Sequence, residues 1–360
     1  MKRNLSSRFT APKLLAILAL ILSLLGLLFV FESSLAEAYA TFDNPYHFLQ
    51  QHAIGLLIGL VLFVVALILP SDFWFKVSPL LYVVAIVFLV LVFVPGVGLE
   101  LNGARRWFNL GPVSFQAIEY VKFGLIVYLA LWLSKQQKLL PFLVLIGVPA
   151  ILIILQPDLG SLIALLMIVF GMYFVSGGSL KHLLAVVGVG LPVLLGTILL
   201  SDYRRARLMT FLNPESDPSG TSFHIRQITL ALGRGGWFGQ GIGNSSQKYA
   251  YIPEVSTDSI FAVIAEEIGF LGSLLLILVY FWFLALIFKV AKQQTEPHKR
   301  LLAFGIFFWI ALQATLNLSA VVGLIPLTGI PLPFFSYGRS SQVMVLLATG
   351  IIIKLGKEVK

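Results

Sequence analysis

Long apolar runs alternate with short polar segments along the chain, and this pattern predicts its fold. Ten apolar runs are long enough, or nearly so, to cross the roughly 30 Å hydrocarbon core of a bilayer as α-helices. They cover approximately 14–31, 52–69, 78–97, 117–134, 139–155, 159–176, 183–200, 258–288, 301–322 and 340–355. The pattern predicts an all-α polytopic membrane protein with about ten transmembrane helices. We expect a single integral membrane domain, 1–360, with one long extracytoplasmic loop, about 201–257, between helices 7 and 8.

Charges in the connecting segments predict the orientation of these spans. With the N-terminus in the cytoplasm, the cytoplasmic segments contain 15 of the 25 lysines and arginines. The short outer loop 32–51 contains three carboxylates and no lysine or arginine. This distribution follows the positive-inside rule, so both termini are predicted to be cytoplasmic. The other ten basic residues (25 − 15) lie on or near the outer side, most of them in 98–116 and 201–257.

Composition excludes several classes of protein. The chain is 58% hydrophobic and 11% charged, whereas about 25% of the residues of an average soluble domain are charged. It contains no cysteine, which excludes disulfides and thiol catalysis. Nucleotide-binding glycine loops and the HExxH zinc motif are absent from the sequence. Binding of nucleic acid is not expected, because the basic residues are divided between two membrane faces.

Asp258 is the first candidate for chemistry. It lies in the polar segment 251–259, which leads directly into an apolar run. An ionised carboxylate at a membrane boundary is costly, and such residues are usually functional. A fixed base at this depth suits a lipid-linked substrate whose reacting group is in water and whose tail is in the membrane.

Arginines on the outer side suggest an anionic ligand. Arg204, Arg205 and Arg207 follow the seventh span within three residues of one another, and Arg105 and Arg106 form a second cluster. The planar guanidinium group binds phosphate oxygens in a bidentate manner. The two clusters therefore indicate a diphosphate site. The alternative is that they anchor the protein to anionic lipid headgroups.

A charged pair occupies the outer end of the fourth span. Glu119 and Lys122 are three residues apart, which places them on the same face of a helix. Charges inside an apolar helix require mutual compensation or a polar cavity. Two interpretations remain open at this point. The pair lines a cavity and positions a substrate, or it is a structural ion pair with Lys122 extended towards the interface.

Other polar groups have more ordinary interpretations. Asp158 follows a proline between the fifth and sixth spans and is predicted to cap the sixth helix, with a contribution to the outer cavity as the alternative. Glu266 and Glu267 lie about two helical turns after Asp258, on or next to the same predicted helix face, and we expect a hydrogen bond from them to a neighbouring helix. The segment 336–341, with Ser336 and Arg339, is expected to cap the last helix and to face the same cavity.

Several motifs together resemble one family across nearly the whole chain. They are GARRW at 103–107, LGPVSFQ at 110–116 with Glu119 and Lys122, QPDLG at 156–160, RRARL at 204–208, NPESDP at 213–218, GIGNSSQK at 241–248, PE at 253–254 with Asp258, IFAVIAEEIG at 260–269, and PLPFFSYG at 331–338. Nine motifs in this order are similar to those of the SEDS proteins (shape, elongation, division and sporulation), which include FtsW and RodA. The segment 243–248 is more similar to the division branch.

This resemblance implies a peptidoglycan glycosyltransferase that polymerises lipid II at the outer face of the bacterial cytoplasmic membrane, in division or wall growth. It implies as partners a class B penicillin-binding protein, which supplies transpeptidation, and other membrane proteins of the division or elongation machinery. Asp258 corresponds to the essential aspartate of the family, and Glu119 and Lys122 correspond to its important charged pair. The expected substrate-binding residues are Glu119, Lys122, Arg105, Arg106, Arg204, Arg205, Arg207, Lys248 and Ser336.

The expected reaction is an inverting glycosyl transfer in which Asp258 accepts the proton of the acceptor hydroxyl. Polyprenyl diphosphate leaves, and the arginines offset its growing negative charge. No cofactor is required by the sequence. A divalent cation, Mg²⁺ or Mn²⁺, is an alternative source of positive charge, although the sequence has no dedicated set of ligands for it.

The chain departs from the family pattern at three places. Ala117-Ile118 replaces the usual Pro-Ser before Glu119, Ser256 stands where a histidine commonly precedes Thr-Asp, and Arg339 replaces a glycine. The first change is expected to alter the start of a helix. The second removes a titratable neighbour of Asp258, and the third adds a bulky cation near the expected cavity.

Two other functions fit parts of the pattern. A transporter or flippase of lipid II would explain charges within the membrane in a chain that has no separate catalytic domain. Transporters often contain paired, broken helices in two halves, which this sequence does not show. The departures from the family pattern also fit a non-catalytic scaffold that activates a penicillin-binding protein. The clustering of polar residues on the outer side, instead of at the midplane, favours chemistry at the interface over transport.

Overall fold

The computed structural model describes residues 10–101, 104–109, 114–214, 222–247 and 255–359, and within them it is almost entirely helical. The helices are α1 (Ala11–Phe42), α2 (His47–Ile68), α3 (Ser71–Leu91), α4 (Ala117–Leu133), α5 (Leu139–Leu155), α6 (Leu159–Val175), α7 (Leu180–Leu199), α8 (Asp202–Leu212), α9 (Phe223–Gly235), α10 (Ile260–Gln293), α11 (Pro297–Val321) and α12 (Arg339–Glu358). The strands are β1 (Gly98–Leu101), β2 (Ala104–Asn109) and β3 (Ser114–Gln116).

Each of the ten predicted spans coincides with one helix. Among the described residues, seven helices are long and apolar enough to cross a membrane: α1, α2, α3, α7, α10, α11 and α12. The other three, α4, α5 and α6, have 17 residues each. The prediction of an all-α polytopic membrane protein is confirmed, with the eighth span represented by α10.

Successive spans alternate in direction, so their connections lie at two ends of a bundle. We call one of these the loop-rich end: it contains the connections from α1 to α2, α3 to α4, α5 to α6, α7 to α10, and α11 to α12. Contacts at this end join distant connections, as when the Gln116 backbone N–H donates to Ser340 Oγ at 2.9 Å. At the opposite end, Lys299 Nζ lies 3.5 Å from Asp72 Oδ1.

The helices differ sharply in how much of their surface is buried. In α4, 13 of 17 residues are buried, and the helix packs against α3, α6 and α11. Gly124 permits the approach of α3, because a Cβ atom there would lie 2.8 Å from the Leu81 carbonyl oxygen. In contrast, α7 has no buried residue along its described length of 20 residues. Helix α4 is therefore part of the core, whereas α7 lies at its edge.

The connection between α3 and α4 forms a small antiparallel sheet in the order β1-β2-β3. Trp107 pairs with Leu99 on β1 and with Gln116 on β3. The apolar spans did not predict this sheet. Because β3 ends at Gln116, where α4 begins, the sheet places the start of α4 and its charged pair at the loop-rich end.

The described part of the long loop after α7 contains two helices, α8 and α9. The second of these, α9, has its buried residues Ile228, Ala231 and Gly235 on the side that packs against α10. A Cβ atom on Gly235 would lie 2.2 Å from the Ala265 carbonyl oxygen, so the absence of a side chain permits this contact.

Helix α10 is broken at Gly269, whose φ of 69° is unfavourable for residues with a Cβ atom. Backbone groups that the break frees pair with the long loop: the Gln240 N–H donates to the Glu266 carbonyl at 2.9 Å, and the Phe270 N–H donates to the Gly236 carbonyl at 2.9 Å. Buried backbone groups need such partners, especially within a membrane. These hydrogen bonds, which the break makes possible, therefore hold the long loop against α10.

Candidate functional site

Asp258 lies in the turn that precedes α10, and its side chain is 8% exposed. The hydroxyls of Thr257 and Ser259 lie 3.4 and 3.5 Å from its Oδ1 atom. Its backbone carbonyl accepts a 2.7 Å hydrogen bond from Asn317 Nδ2. Because α10 begins only at Ile260, the expected placement of Asp258 on one helix face with Glu266 is wrong. The turn instead places the carboxyl group at the loop-rich end of the bundle.

A histidine from the long loop reaches the same turn. His224 Nε2, on α9, lies 2.8 Å from Ser259 Oγ. Burial and, secondarily, the positive charge of Arg207 lower the pKa of His224 from 6.5 to about 4. The imidazole is therefore neutral at physiological pH. The sequence pattern indicated that Ser256 removes a titratable neighbour of Asp258, but the fold supplies an imidazole from another element.

The connection from α11 to α12, 322–338, contains three prolines, and we call it the proline loop. Arg207 Nη1 donates to the Leu327 carbonyl of this loop at 3.4 Å. A Cβ atom on Gly329, whose φ is 69°, would lie 4.0 Å from Asp258 Oδ2. The proline loop therefore lies between these two side chains: Arg207 bonds its Leu327 carbonyl, and the Asp258 carboxyl group lies beside its Gly329.

Ser336 stabilises the proline loop from within. Its buried hydroxyl oxygen accepts a 2.7 Å hydrogen bond from the Leu332 N–H, and its own N–H donates to the Leu332 carbonyl at 2.9 Å. The Tyr337 N–H donates to the Ser256 carbonyl at 2.7 Å, which ties the loop to the segment before Asp258. The role of Ser336 in binding substrate stays a prediction.

The second arginine cluster divides between two environments. Arg106 lies 3.7 Å from Asp158 Oδ1 and donates to the backbone carbonyls of Gln156 and Pro157 at 3.3 and 2.6 Å. Arg105 forms an exposed ion pair with Glu100 at 3.0 Å. Arg106 therefore stabilises the turn between α5 and α6, whereas Arg105 faces away from that turn. Asp158 also accepts a 3.2 Å hydrogen bond from the Ser161 N–H, which confirms the predicted helix cap.

The first arginine cluster, on α8, also separates. Arg204 Nη1 donates to the Thr197 carbonyl of α7 at 3.2 Å, and Arg205 Nη2 lies 2.8 Å from Asp202 Oδ1. Arg207 alone of these three is described in contact with the proline loop. The guanidinium groups thus point to three different neighbours, and their binding of a diphosphate stays a prediction. Lys248 lies outside the described residues.

Glu119 and Lys122 form an internal pair. Lys122 Nζ lies 2.8 Å from Glu119 Oε1, and the two residues are 4% and 1% exposed respectively. Lys122 Nζ also donates to Gln313 Oε1 at 2.8 Å and lies 5.3 Å from the centroid of the Trp309 ring. The ammonium group is thus satisfied by α4 and α11 together. The use of this pair in substrate binding stays a prediction.

Two other expectations are corrected by the contacts. Glu266 accepts hydrogen bonds from Ser245 Oγ, from the Ser246 N–H at 3.3 Å and from Ser246 Oγ at 3.2 Å. Its partners lie in the long loop, so the expected bond to a neighbouring helix is wrong for Glu266. The residue that caps α12 is Gly338, which has no side chain, so the expected cap of this helix by 336–341 is wrong. Arg339 begins α12 and donates to Gln51 on α2, and its place beside the expected cavity stays a prediction.

One group of metal-binding side chains with suitable spacing occurs in the described part of the chain: Asp72, Glu296 and His298. It lies at the opposite end of the bundle from Asp258. Lys299 Nζ is 3.5 Å from Asp72 Oδ1 and 2.8 Å from Glu296 Oε1, so the two carboxylates already share one ammonium group. This donor set fits a network of ion pairs better than a metal centre.

Three residues that the sequence patterns did not single out contact the candidate site: His224, Gln313 and Asn317. Gln313 and Asn317 carried a usable signal, because two polar residues four positions apart in an apolar helix share one face. His224 carried none, because only the docking of α9 on α10 brings it to Ser259. We take Asp258, His224, Arg207 and the proline loop as the candidate active site.

Known proteins are similar to this chain in sequence. The B. subtilis (strain 168) stage V sporulation protein E is 36% identical over 98% of this chain and 99% of its own length. A probable peptidoglycan glycosyltransferase FtsW of Allochromatium vinosum is 38% identical over 96% of this chain and 88% of its own.

Solved structures are similar over nearly the same extent. A chain from a peptidoglycan synthase complex that coordinates polymerization and crosslinking is 31% identical, with a TM-score of 0.78, and the match covers 96% of this chain and 97% of that chain. The rod shape determining protein RodA of Thermus thermophilus is 29% identical, with a TM-score of 0.70, and the match covers 96% of each chain. A family model described as a cell cycle protein, FtsW/RodA/SpoVE, matches residues 12–360. The chain therefore belongs to the FtsW/RodA/SpoVE family of membrane proteins.

Proposed function

We propose that this chain is a peptidoglycan glycosyltransferase that polymerises lipid II, with Asp258 as its general base. The observation that carries the proposal is the position of Asp258. Its carboxyl group lies in a turn at the loop-rich end, beside two hydroxyls and near the loop that Arg207 contacts. Family membership supports the same activity, because curated relatives are named as probable peptidoglycan glycosyltransferases.

The proposed step is a single displacement with inversion. Asp258 accepts the proton of an acceptor sugar hydroxyl while that oxygen forms a bond to the anomeric carbon of the donor. The bond between the anomeric carbon and the diphosphate oxygen breaks, and its electron pair leaves with polyprenyl diphosphate. No nucleotide is consumed, because the diphosphate is already an activated leaving group.

Positive charge must offset the charge that develops on the departing diphosphate. We assign this role first to Arg207, which contacts the proline loop, and second to Arg106, which lies beside Asp158. Arg105, Arg204 and Arg205 complete the proposed binding set with Lys248 and Ser336. A divalent cation, Mg²⁺ or Mn²⁺, would enter on the diphosphate of the substrate, since the Asp72 group lies at the opposite end and is already paired with Lys299.

The proposal is tested with purified protein and lipid II. Asp258→Asn keeps the shape of the side chain but removes its basicity, and general base catalysis typically contributes about 10²–10⁴-fold to a rate. We expect polymerisation to fall by at least about 100-fold, with unchanged binding of lipid II and an unchanged unfolding temperature. Asp72→Asn, at the opposite end, is the matched control and should retain wild-type polymerisation.

Polymerisation by Asp258→Asn at the wild-type rate would remove Asp258 from the mechanism. Movement of fluorescent lipid II across proteoliposomes by a wild-type protein that makes no polymer would instead support transport. Stimulation of a separate polymerase by a wild-type protein that neither polymerises nor transports would support a scaffold.

We further propose that the protein resides in the bacterial cytoplasmic membrane, with both termini in the cytoplasm and the loop-rich end outside. The chain contains no cysteine, so single cysteines report their own accessibility. Leu200→Cys, at a position 91% exposed beside the loop-rich end, should react with an impermeant maleimide in intact cells. Val359→Cys should react only after lysis, and the reverse pattern would invert the proposed topology.

We also propose a class B penicillin-binding protein as the partner that crosslinks the product, and association with other membrane proteins of division or elongation. The similarity to a chain from a peptidoglycan synthase complex supports this partner. Co-expression with a single-span penicillin-binding protein should yield a complex that remains associated through gel filtration in detergent. Separate elution of the two proteins at micromolar concentration would contradict the proposal.

A further inference from the structure

Helix α11 carries a row of buried polar side chains on one face. Trp309, Gln313 and Asn317 are four residues apart, and they are 0%, 1% and 1% exposed. Spacing of this kind aligns side chains along one side of a helix. A buried amide is unfavourable unless it forms hydrogen bonds, so the partners of this row identify what it supports.

Gln313 connects the buried charged pair to the proline loop. Its Oε1 atom accepts hydrogen bonds from Lys122 Nζ and from Trp309 Nε1, each at 2.8 Å. Its Nε2 atom donates to the Pro331 carbonyl at 3.1 Å. Lysine and tryptophan side chains can only donate, so they fix which end of the amide faces Pro331. A shift of the Lys122 ammonium group would therefore move Gln313 and, with it, the proline loop.

Asn317 connects the proline loop to the turn of Asp258. Its Nδ2 atom donates to the Ile330 carbonyl at 2.8 Å and to the Asp258 carbonyl at 2.7 Å. These two carbonyls belong to segments that are remote from each other in sequence. Because Ile330 and Pro331 are adjacent, the two amides of α11 hold the same part of the proline loop. Asn317 also holds the backbone from which the carboxyl group of Asp258 projects.

We propose that Gln313 and Asn317 are positioning residues for Asp258, and that the Glu119–Lys122 pair acts on the reaction through them without contacting substrate. This inference rests on the proposed function of Asp258. Its physical basis is the sensitivity of catalysis to geometry, since a displacement of about 1 Å can cost about 10²-fold in rate. The burial of Glu119 and Lys122 gives them no exposed surface with which to bind a sugar or a phosphate.

Asn317→Asp tests the inference with almost no change in volume. The substitution replaces the donating amide by acceptor oxygens, which repel the carbonyls of Asp258 and Ile330. We expect kcat for polymerisation to fall by about 10-fold or more, because the backbone that carries the Asp258 carboxyl group loses the hydrogen bond that holds it. KM for lipid II should stay within 2-fold of wild type. Thr315→Ala on the same helix is the control, since Thr315 Oγ1 bonds only the Ala311 carbonyl among its described contacts and is exposed.

Two further variants test whether the Glu119–Lys122 pair acts on Asp258 through Gln313. Gln313→Leu should lower kcat with an unchanged KM. Combined with Asn317→Asp it should lower kcat by less than the product of the two single effects, because both act through one loop segment. A normal kcat in both single variants would overturn the inference. A raised KM with normal kcat in Gln313→Leu or Lys122→Met would also overturn it, because that result would place the pair at the substrate.

Hydrogen exchange separates this inference from the proposed function. In Gln313→Leu, amides of 257–262 should exchange faster than in wild type, whereas Thr315→Ala should leave them unchanged. This measurement requires neither lipid II nor activity. A wild-type protein that makes no glycan but shows this coupling would refute the proposed function alone. Unchanged exchange in Gln313→Leu would refute the positioning role even if the wild type polymerises lipid II.

Discussion

The buried pair on α4 and the arginines on α8 show two ways in which this membrane protein holds charge. Glu119 and Lys122 neutralise each other inside the core, and Lys122 is also bonded to Gln313 on α11. Arg204 and Arg205 lie beside α7, which has no buried residue, and their described partners are on α7 and α8 themselves. Charge in the core is fixed by several helices, whereas charge at the edge is held locally.

Burial separates the charges that set geometry from the charges that can meet a ligand. A buried ion pair loses hydration that only precise partners replace. An exposed arginine keeps much of its hydration and can exchange a weak local partner for a phosphate. Arg207 lies between these extremes, because it belongs to α8 but donates to the proline loop of the core.

The largest expected effect concerns the buried pair. Lys122→Met leaves the Glu119 carboxylate without its cation, and breaking a buried pair in this way costs about 3–5 kcal/mol. Removing both charges, in Glu119→Gln/Lys122→Met, should recover most of this loss. The measurement is the free energy of unfolding in detergent. Lys299→Met is the control at the opposite end, where the partners Asp72 and Glu296 are exposed, and it should cost about 1 kcal/mol or less. Equal losses of unfolding free energy in the two lysine variants would show that burial does not distinguish the two ion pairs.

The positions of the helices followed from the sequence, because ten apolar runs have few ways to satisfy their backbone in a membrane. The charges of the site were also recognisable, since Asp258, Glu119 and Lys122 are conspicuous in apolar surroundings. Their partners were not. The i, i+3 spacing left two roles open for the pair, and only the packing of α11 against α4 showed that Gln313 shares Lys122.

The partners of the three arginines on α8 were not recognisable either. Their proximity in sequence suggested one shared site, but their described hydrogen bonds go to Thr197, Asp202 and Leu327 respectively. Arg204 and Arg207 share a helix face, yet one bonds α7 and the other bonds the proline loop. The sheet before α4 was missed because its short strands carry none of the long apolar runs that reveal the spans.

The second-largest expected effect concerns His224, which lies between the α7 edge of the protein and its core. Its pKa is about 4 in the folded protein, against 6.5 when unfolded, because of burial and the charge of Arg207. Between pH 6.5 and 4 the unfolded chain binds more protons, so the free energy of unfolding falls as the pH falls through this window. By pH 4.5 this loss amounts to about 2 kcal/mol relative to pH 7.5.

His224→Gln should remove that loss, because glutamine donates from a similar position but does not titrate. Unfolding free energies of wild type and variant at pH 7.5 and 4.5 provide the measurement, and subtraction removes the contributions that the two proteins share. Thr229→Ala, an exposed substitution on the same helix, should retain the wild-type loss. An acid sensitivity in His224→Gln equal to that of wild type would show that the imidazole is not held neutral by burial.

A smaller effect distinguishes Arg207 from Arg205. Arg207→Ala should raise KM or lower kcat for lipid II polymerisation by about 10-fold, because a charge-assisted hydrogen bond contributes roughly 1.5–3 kcal/mol. Arg205→Ala should change the same constants by about 3-fold or less, since its exposed ion pair with Asp202 marks it as peripheral. A larger effect from Arg205→Ala than from Arg207→Ala would show that the proline loop does not identify the arginine that meets substrate.

The smallest effect concerns Asp202, whose side chain is 96% exposed beside Arg205. Exposed ion pairs contribute little to stability, so Asp202→Asn should leave the unfolding temperature unchanged within error. If Arg205 is free to exchange this partner for a phosphate, the variant should bind lipid II slightly more tightly, with KM lowered by about 2-fold. In contrast, removing Glu119, the corresponding carboxylate in the core, should destabilise the protein and leave the binding of lipid II unchanged. A lower unfolding temperature in Asp202→Asn would show that α8 depends on its charges as α4 does.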